Sequence, residues 1–188
     1  MPEAKDVEQT RERMLRWALE LFTERGYEGA SIQMIASGVG LSKAAVSYHF
    51  RTKEDILNAV VEPAFSDLET LFEKVGTGPV KPARRREAIS EYVRLLVKHR
   101  QLLAFLAKEG DRENPEPVMR QWRSVAENLE QLFGGDREDL SERLYFAAAV
   151  RGLATAPVRF AEVSDDELGE HLQRAAERML ARPPRRPA

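Results

Sequence analysis

Apolar residues in this chain recur at helical spacing almost everywhere and at strand spacing almost nowhere, and that contrast sets the fold class. Leu15, Ala18, Leu19 and Phe22 stand at i, i+3, i+4 and i+7, which places them on one face of a helix. No period-2 alternation of useful length occurs, and Asn-Gly and Asp-Gly, the commonest hairpin turns, are absent. Gly26 closes the first helix. Ser31 caps a short second one that turns Ile32, Ile35 and Ala36 inward, and residues 38–40 break it. Ser42 caps a third that runs to about Phe50. Thr52-Lys53-Glu54-Asp55 opens a fourth with a capping-box pattern, in which Pro63 predicts a kink or a split. Gly76-Thr77-Gly78-Pro79 interrupts the pattern. Helices are then expected over residues 82–100, 101–108, 117–133, 139–156 and 164–182, with Pro157 as a joint. The chain reads as all-α, with about nine helices.

Composition bounds the class further. With 188 residues, 43% of them apolar, the chain can bury one core or two small ones. The longest uncharged stretch, residues 29–42, contains Gln, Ser and three Gly, too short and too polar to span a bilayer. The first ten residues hold no apolar run of the kind a secretory leader needs. A soluble cytoplasmic protein with no membrane partner is the expectation. No cysteine is present, which excludes disulfides, thiolate zinc sites and thiol catalysis.

The net charge of −2 argues against bulk nucleic-acid binding, but its distribution matters more. Residues 29–53 contain no Asp or Glu, where the chain average would put about four. Lys43, Arg51 and Lys53 lie in that window, and Glu20, Glu24, Glu28, Glu54 and Asp55 crowd its flanks. An acid-free face on an otherwise acidic chain suits a polyanion.

Two short capped helices joined by a glycine-containing turn, preceded by a longer helix, form the pattern of a helix-turn-helix. The second helix of such a unit lies in the DNA major groove. Val46 and Phe50, four apart, would face inward and turn Lys43, Ala44, Ser47 and Tyr48 outward. Small Ala44 and Ala45 permit close approach to the groove floor, and Lys43 can reach a guanine edge or a phosphate. The hydroxyl of Ser31, Tyr48, His49 and the amide of Lys53 suit phosphate.

Gly26-Tyr27-Glu28-Gly29-Ala30-Ser31, Ile35-Ala36, Gly40-Leu41-Ser42-Lys43, Tyr48-His49-Phe50 and Lys53-Glu54-Asp55-Ile56-Leu57 together resemble the N-terminal domain of TetR-family transcriptional regulators. The resemblance implies a DNA-binding domain over residues 8–67, with the helix-turn-helix at 31–50. A helical ligand-binding and dimerisation domain would follow over 68–182, then a disordered tail over 183–188. It implies a homodimeric repressor of a near-palindromic double-stranded DNA operator, released by a small-molecule effector and needing no cofactor. The family's DNA contacts fall on Ser31, Ser42, Lys43, Ala44, Ala45, Ser47, Tyr48, His49 and Lys53. Ser47 stands where members usually carry Tyr, Ala44 where Gly is common, and Gly38 weakens its helix by up to about 1 kcal/mol.

In the C-terminal part, Tyr92, Phe105, Met119 and Trp122 are the candidate effector-pocket side chains. The last two helices carry broad apolar faces, and Phe146, Val150, Leu153, Leu168, Leu172, Ala176 and Met179 are expected at a dimer interface. Arg151, inside the first of these faces, needs a carboxylate or carbonyl partner if it is buried. Arg84-Arg85-Arg86 reads as a solvated helix start, and Trp17 and Phe22 as core. His49, His99 and His171 lack metal-ligand spacing, and no nucleophile dyad or phosphate loop is recognisable. Enzymatic activity is therefore not expected. The competing reading is a helical module that uses its helix-turn-helix to contact a protein.

Overall fold

The computed structural model describes residues 4–76, 82–109, 117–134 and 139–181. These form α1 (Ala4–Gly29), α2 (Ile32–Gly38), α3 (Lys43–His49), α4 (Lys53–Val75), α5 (Pro82–Lys98), α6 (Arg100–Glu109), α7 (Pro117–Gly134), α8 (Leu140–Arg159) and α9 (Asp165–Leu180). No strand occurs among the described residues. The expected tail at 183–188 and the residues of the 77–79 break lie outside them.

Local chemistry explains most boundaries. Gly26 interrupts α1 with φ 76° and ψ 164°, a conformation open to glycine at little cost. Thr52 and Asp55 close a reciprocal capping box at the start of α4. Ser164 caps α9, whose first turn carries Asp165, Asp166 and Glu167 against the positive helix end. Arg85 of the arginine run donates to the Leu180 carbonyl at 3.1 Å, tying off the other end of α9.

Of the two outcomes expected at Pro63 the split does not occur, since α4 runs through it, and the joint expected at Pro157 is corrected, since that residue lies inside α8. Each proline removes a single helical hydrogen bond, and packing along these helices exceeds that loss. Because α4 is continuous, residue 67 falls in mid-helix.

The interior divides into two apolar clusters. The proximal one gathers Met14, Phe22, Ile35, Val46 and Ile56 from α1–α4, and it is completed by Leu102, Phe105 and Leu106 of α6 and Val118 of α7. Burying the three α6 side chains is worth roughly 5–9 kcal/mol as an upper estimate, so α1–α4 are fastened to the body. The distal cluster is built from Leu71, Ile89, Tyr92, Phe133, Phe146 and Leu172, among others. Phe65 and Trp122 pack against both, edge to face at 6.1 Å.

Candidate nucleic-acid interface

The short helices α2 and α3 hold their positions through caps and three tertiary ties. Ser31 Oγ accepts from the Met34 amide at 3.2 Å, and Ser42 Oγ from the Ala45 amide at 3.1 Å. Both hydroxyls serve here as acceptors, so each keeps its own proton to donate outward. Between the helices Gly40 takes φ +72°, which an L side chain rarely adopts. The Leu41 amide donates to Ala36 O at 2.9 Å, and Arg13 Nη2 donates from α1 to Val39 O at 3.2 Å. The third tie is the Trp17 indole, which lies across Gly38. A Cβ at that position would stand 1.7 Å from Nε1, so the glycine is required by packing. Trp17 itself is 37% exposed, a partial correction to its reading as core, whereas Phe22 is fully buried.

With Val46 and Phe50 buried, α3 turns Lys43, Ala44, Ser47 and Tyr48 to solvent. Ala45 and His49 are half-buried, and Ser31 and Ser42 are exposed. Tyr48 is 83% exposed and meets the His49 ring edge-on at 5.4 Å. Arg11 lies over the buried Phe50 ring at 5.3 Å, bracing α3 from α1. All eight expected contact residues from Ser31 to His49 are exposed or half-buried, and the segment 29–53 that holds them contains Lys43 and Arg51 and no carboxylate.

The expectation for Lys53 concerns its backbone amide; its side chain is engaged elsewhere. Its ammonium points inward, donates to Tyr27 O at 2.8 Å and Ala30 O at 3.2 Å, and lies 4.1 Å from the Tyr27 ring centroid. The side chain is a structural clamp on the turn before α2, and only its backbone amide, at the first residue of α4, stands where an anion can be met. Sequence reasoning also missed Glu109, buried at the end of α6, whose Oε1 accepts from the Tyr27 amide at 3.2 Å. Lys108 Nζ donates to Thr23 O at 2.7 Å. The turn at Tyr27 is thus held from α4 on one side and from the body on the other. A lone glutamate in a charged segment gives no signal of this role.

Two of the expected effector residues, Tyr92 and Phe105, belong to different clusters. Tyr92 belongs to the distal cluster, where its phenol donates to Val150 O at 3.0 Å and burial holds its pKa far above the ordinary value. Phe105 is a filled position of the proximal cluster, against Phe22 at 5.8 Å. Trp122 sits between the clusters, and the side chain of Met119 lies outside the described residues.

The dimer-face expectation is corrected as well. Phe146, Val150, Leu153, Leu168, Leu172 and Ala176 are at most 4% exposed, packed in the chain's own distal cluster, and Met179 is half-buried against it. These positions face α5, α6 and α7, so they are spent within one chain. The outward side of α8 instead presents Leu140 and Leu144, 64% and 61% exposed, with Ala148 beside them and Phe160, 54% exposed, at its end. Arg151 is exposed and paired with Glu130 at 3.0 Å.

Residues 15–60 match the family model for bacterial regulatory proteins of the tetR family. The HTH-type transcriptional regulator SrpR of Pseudomonas putida is 36% identical over 69 residues, covering 37% of this chain and 32% of that one. The chain spans about half or less of the length of the curated regulators it matches. Among solved structures, NalD of Pseudomonas aeruginosa, described as the secondary repressor of the MexAB-OprM multidrug efflux pump, superposes with a TM-score of 0.60. It is 25% identical, over 94% of this chain and 98% of that one. The TetR family regulator PfmR of Thermus thermophilus superposes at 0.66 and 24% identity, over 94% and 98%.

Proposed function

We propose that the chain is a member of the TetR family of bacterial regulatory proteins, whose family model it matches over residues 15–60, and that it is a DNA-binding repressor that acts as a homodimer and responds to a small molecule. Residues 8–67 are its DNA-binding head, and 68–182 its ligand-binding and dimerisation body. The observation that carries the reading is the exposed, carboxylate-free face of α3, with Tyr48 83% exposed beside Lys43. An aromatic left in water on a helix with small neighbours is poorly explained by stability and well explained by a groove. Ala44, Ala45, Lys43 and Ser47 meet base edges, while Ser31, Ser42, Tyr48, His49 and the Lys53 amide meet phosphates.

Dimerisation uses the outward side of α8. Of the five large apolar side chains exposed among the described residues, Leu140 and Leu144 lie there and Phe160 follows just past the end of the helix, and small Ala148 lets a partner helix approach closely. Two heads would then reach successive major grooves about 34–36 Å apart on a near-palindromic site. No described helix is long and apolar enough to cross a membrane, and the reading places the protein with DNA in the cytoplasm, without a catalytic role. A protein-docking role for α3 is disfavoured by the carboxylate-free charge pattern.

Selection of bound duplexes from fragmented genomic DNA, at about 150 mM salt where loose electrostatic binding is weakened, tests the proposal. Enrichment of one inverted repeat supports it. Failure to enrich any sequence, with the protein folded and refolded free of small molecules, rejects it.

A further inference from the structure

Where the head meets the body, a cleft of about 600 Å³ opens between α1, α4, the joint of α5 and α6, and the ends of α8 and α9. Its apolar walls include Val60 and Pro63 of α4 on one side and Pro157 and Val158 of α8 on the other. Three consecutive basic residues at the joint, Lys98, His99 and Arg100, complete the lining.

Each of these groups is only partly spoken for. Lys98 Nζ and His99 Nε2 share one carboxylate oxygen, Asp67 Oδ2, at 2.6 and 2.7 Å. The two hydrogen bonds outweigh the effect of partial burial and hold Asp67 below the usual carboxylate range. Arg100 Nη1 donates to Val163 O at 3.0 Å and to Asp165 Oδ1 at 2.5 Å, and Nη2 donates to Ala161 O. A guanidinium carries five N–H groups, so Nε and one Nη2 hydrogen are left over among the described residues. Asp165, its ionic partner, is 64% exposed and therefore a weak competitor for the guanidinium. Lys98 is matched by Asp67, whereas Arg100 faces only the exposed Asp165, so the donor capacity left at the cleft is that of one guanidinium edge, which a single carboxylate fits.

We propose that this cleft is the effector site and that it takes a small amphipathic monocarboxylate, its head on Arg100 and its apolar part between Pro63 and Pro157. The proposal rests on the reading of the chain as a ligand-responsive repressor. The cleft borders the two helices that grip the turn before α2. α4 reaches that turn through Lys53, and α6 through Glu109. A ligand wedged between α4 and α8 acts on the same elements that set the angle of the head. That is the differential interaction an effector needs to bias one conformation over another.

Calorimetric titration of the full chain with octanoate and with 4-phenylbutyrate, each beside its uncharged primary amide, tests the site. Saturable binding of a carboxylate is expected, about tenfold or more tighter than its amide, with a comparable loss in Arg100→Gln. Arg100 also fastens α6 to the turn before α9, so Gln101→Glu is the second variant. Gln101 is exposed on the cleft rim, and an acid in the first turn of α6 favours the helix while repelling the ligand. Its melting temperature should hold or rise while carboxylate affinity falls several-fold. No binding by either carboxylate, equal binding by the amides, or unchanged affinity in both variants overturns the proposal. A bound carboxylate that leaves the affinity for the selected duplex unchanged overturns the effector role. Absence of duplex binding in the unliganded chain instead marks failure of the repressor reading.

Discussion

Gly38→Ala reverses the sign that helix propensity alone would assign. In an ordinary helix the change stabilises by up to about 1 kcal/mol. Here the new Cβ would stand 1.7 Å from Trp17 Nε1, 2.0 Å from Cε2 and 2.6 Å from Cδ1. These atoms are the body of a rigid ring, so the whole indole must swing away. An indole left 37% exposed covers on the order of 150 Å² of surface. Losing about half of that at about 25 cal/mol per Å² costs about 2 kcal/mol. The net effect is a destabilisation of about 1 kcal/mol, or about 2–4 °C in melting temperature. In a Trp17→Ala background the clash is gone, and the same glycine change should stabilise. Urea unfolding of the four proteins of the cycle, at one protein concentration because the proposed dimerisation would contribute, measures the coupling, expected at about 2 kcal/mol. Duplex affinity should fall in Gly38→Ala, because the indole sets α2 against α1. A Gly38→Ala chain more stable than wild type, or an equal effect in both backgrounds, refutes the packing argument.

Three further outcomes follow from the geometry. Leu144→Glu on the outward side of α8, where the side chain is 61% exposed, should convert the proposed dimer to a folded monomer in sedimentation analysis, whereas Leu153→Glu, 3% exposed, should unfold the chain. Lys53→Met removes the clamp on Tyr27 O and Ala30 O, so the melting temperature should drop with a loss of about 1–2 kcal/mol, in contrast to the near-neutral effect of a surface lysine. Asp67 has a lowered pKa in the folded chain, so its contribution is present above the unfolded carboxylate value of about 3.9 and disappears as pH falls through the folded value. Asp67→Asn should therefore be less stable than wild type at pH 7, with the difference closing below about pH 4 in pH-dependent urea melts.

What was legible in the sequence is what local chemistry decides. Ser31, Ser42 and Thr52 cap helices because an oxygen at those positions meets orphan amides a few residues on, and that is readable from spacing. The inward turn of Val46 and Phe50, and with it the outward turn of Lys43, Ala44, Ser47 and Tyr48, follows from period alone. Choices between neighbours in space were not legible. Lys53 has a phosphate or a carbonyl within reach of the same flexible stem, and only the folded position of Tyr27 decides. Periodicity shows that α8 is apolar on more than one side, but not which side its own chain uses, so Phe146 and Leu153, which the chain buries, are indistinguishable in the sequence from Leu140 and Leu144, which it leaves exposed. Tyr92, Phe105 and Trp122 have the composition of a pocket lining, yet two of them fill separate cores. Pairing of Glu109 with Tyr27 spans 82 residues and leaves no local trace.

The central claim is that the outward face of α3 reads DNA. It is tested most directly by measuring the affinity of wild type and of the Lys43→Ala, Tyr48→Ala double variant for the enriched duplex, at about 150 mM salt. Both side chains are exposed, so melting temperature and oligomeric state should be unchanged. The variant should bind at least about a hundredfold more weakly, because a charge-assisted contact and an aromatic contact are both lost. Equal affinity in the two proteins would contradict the account.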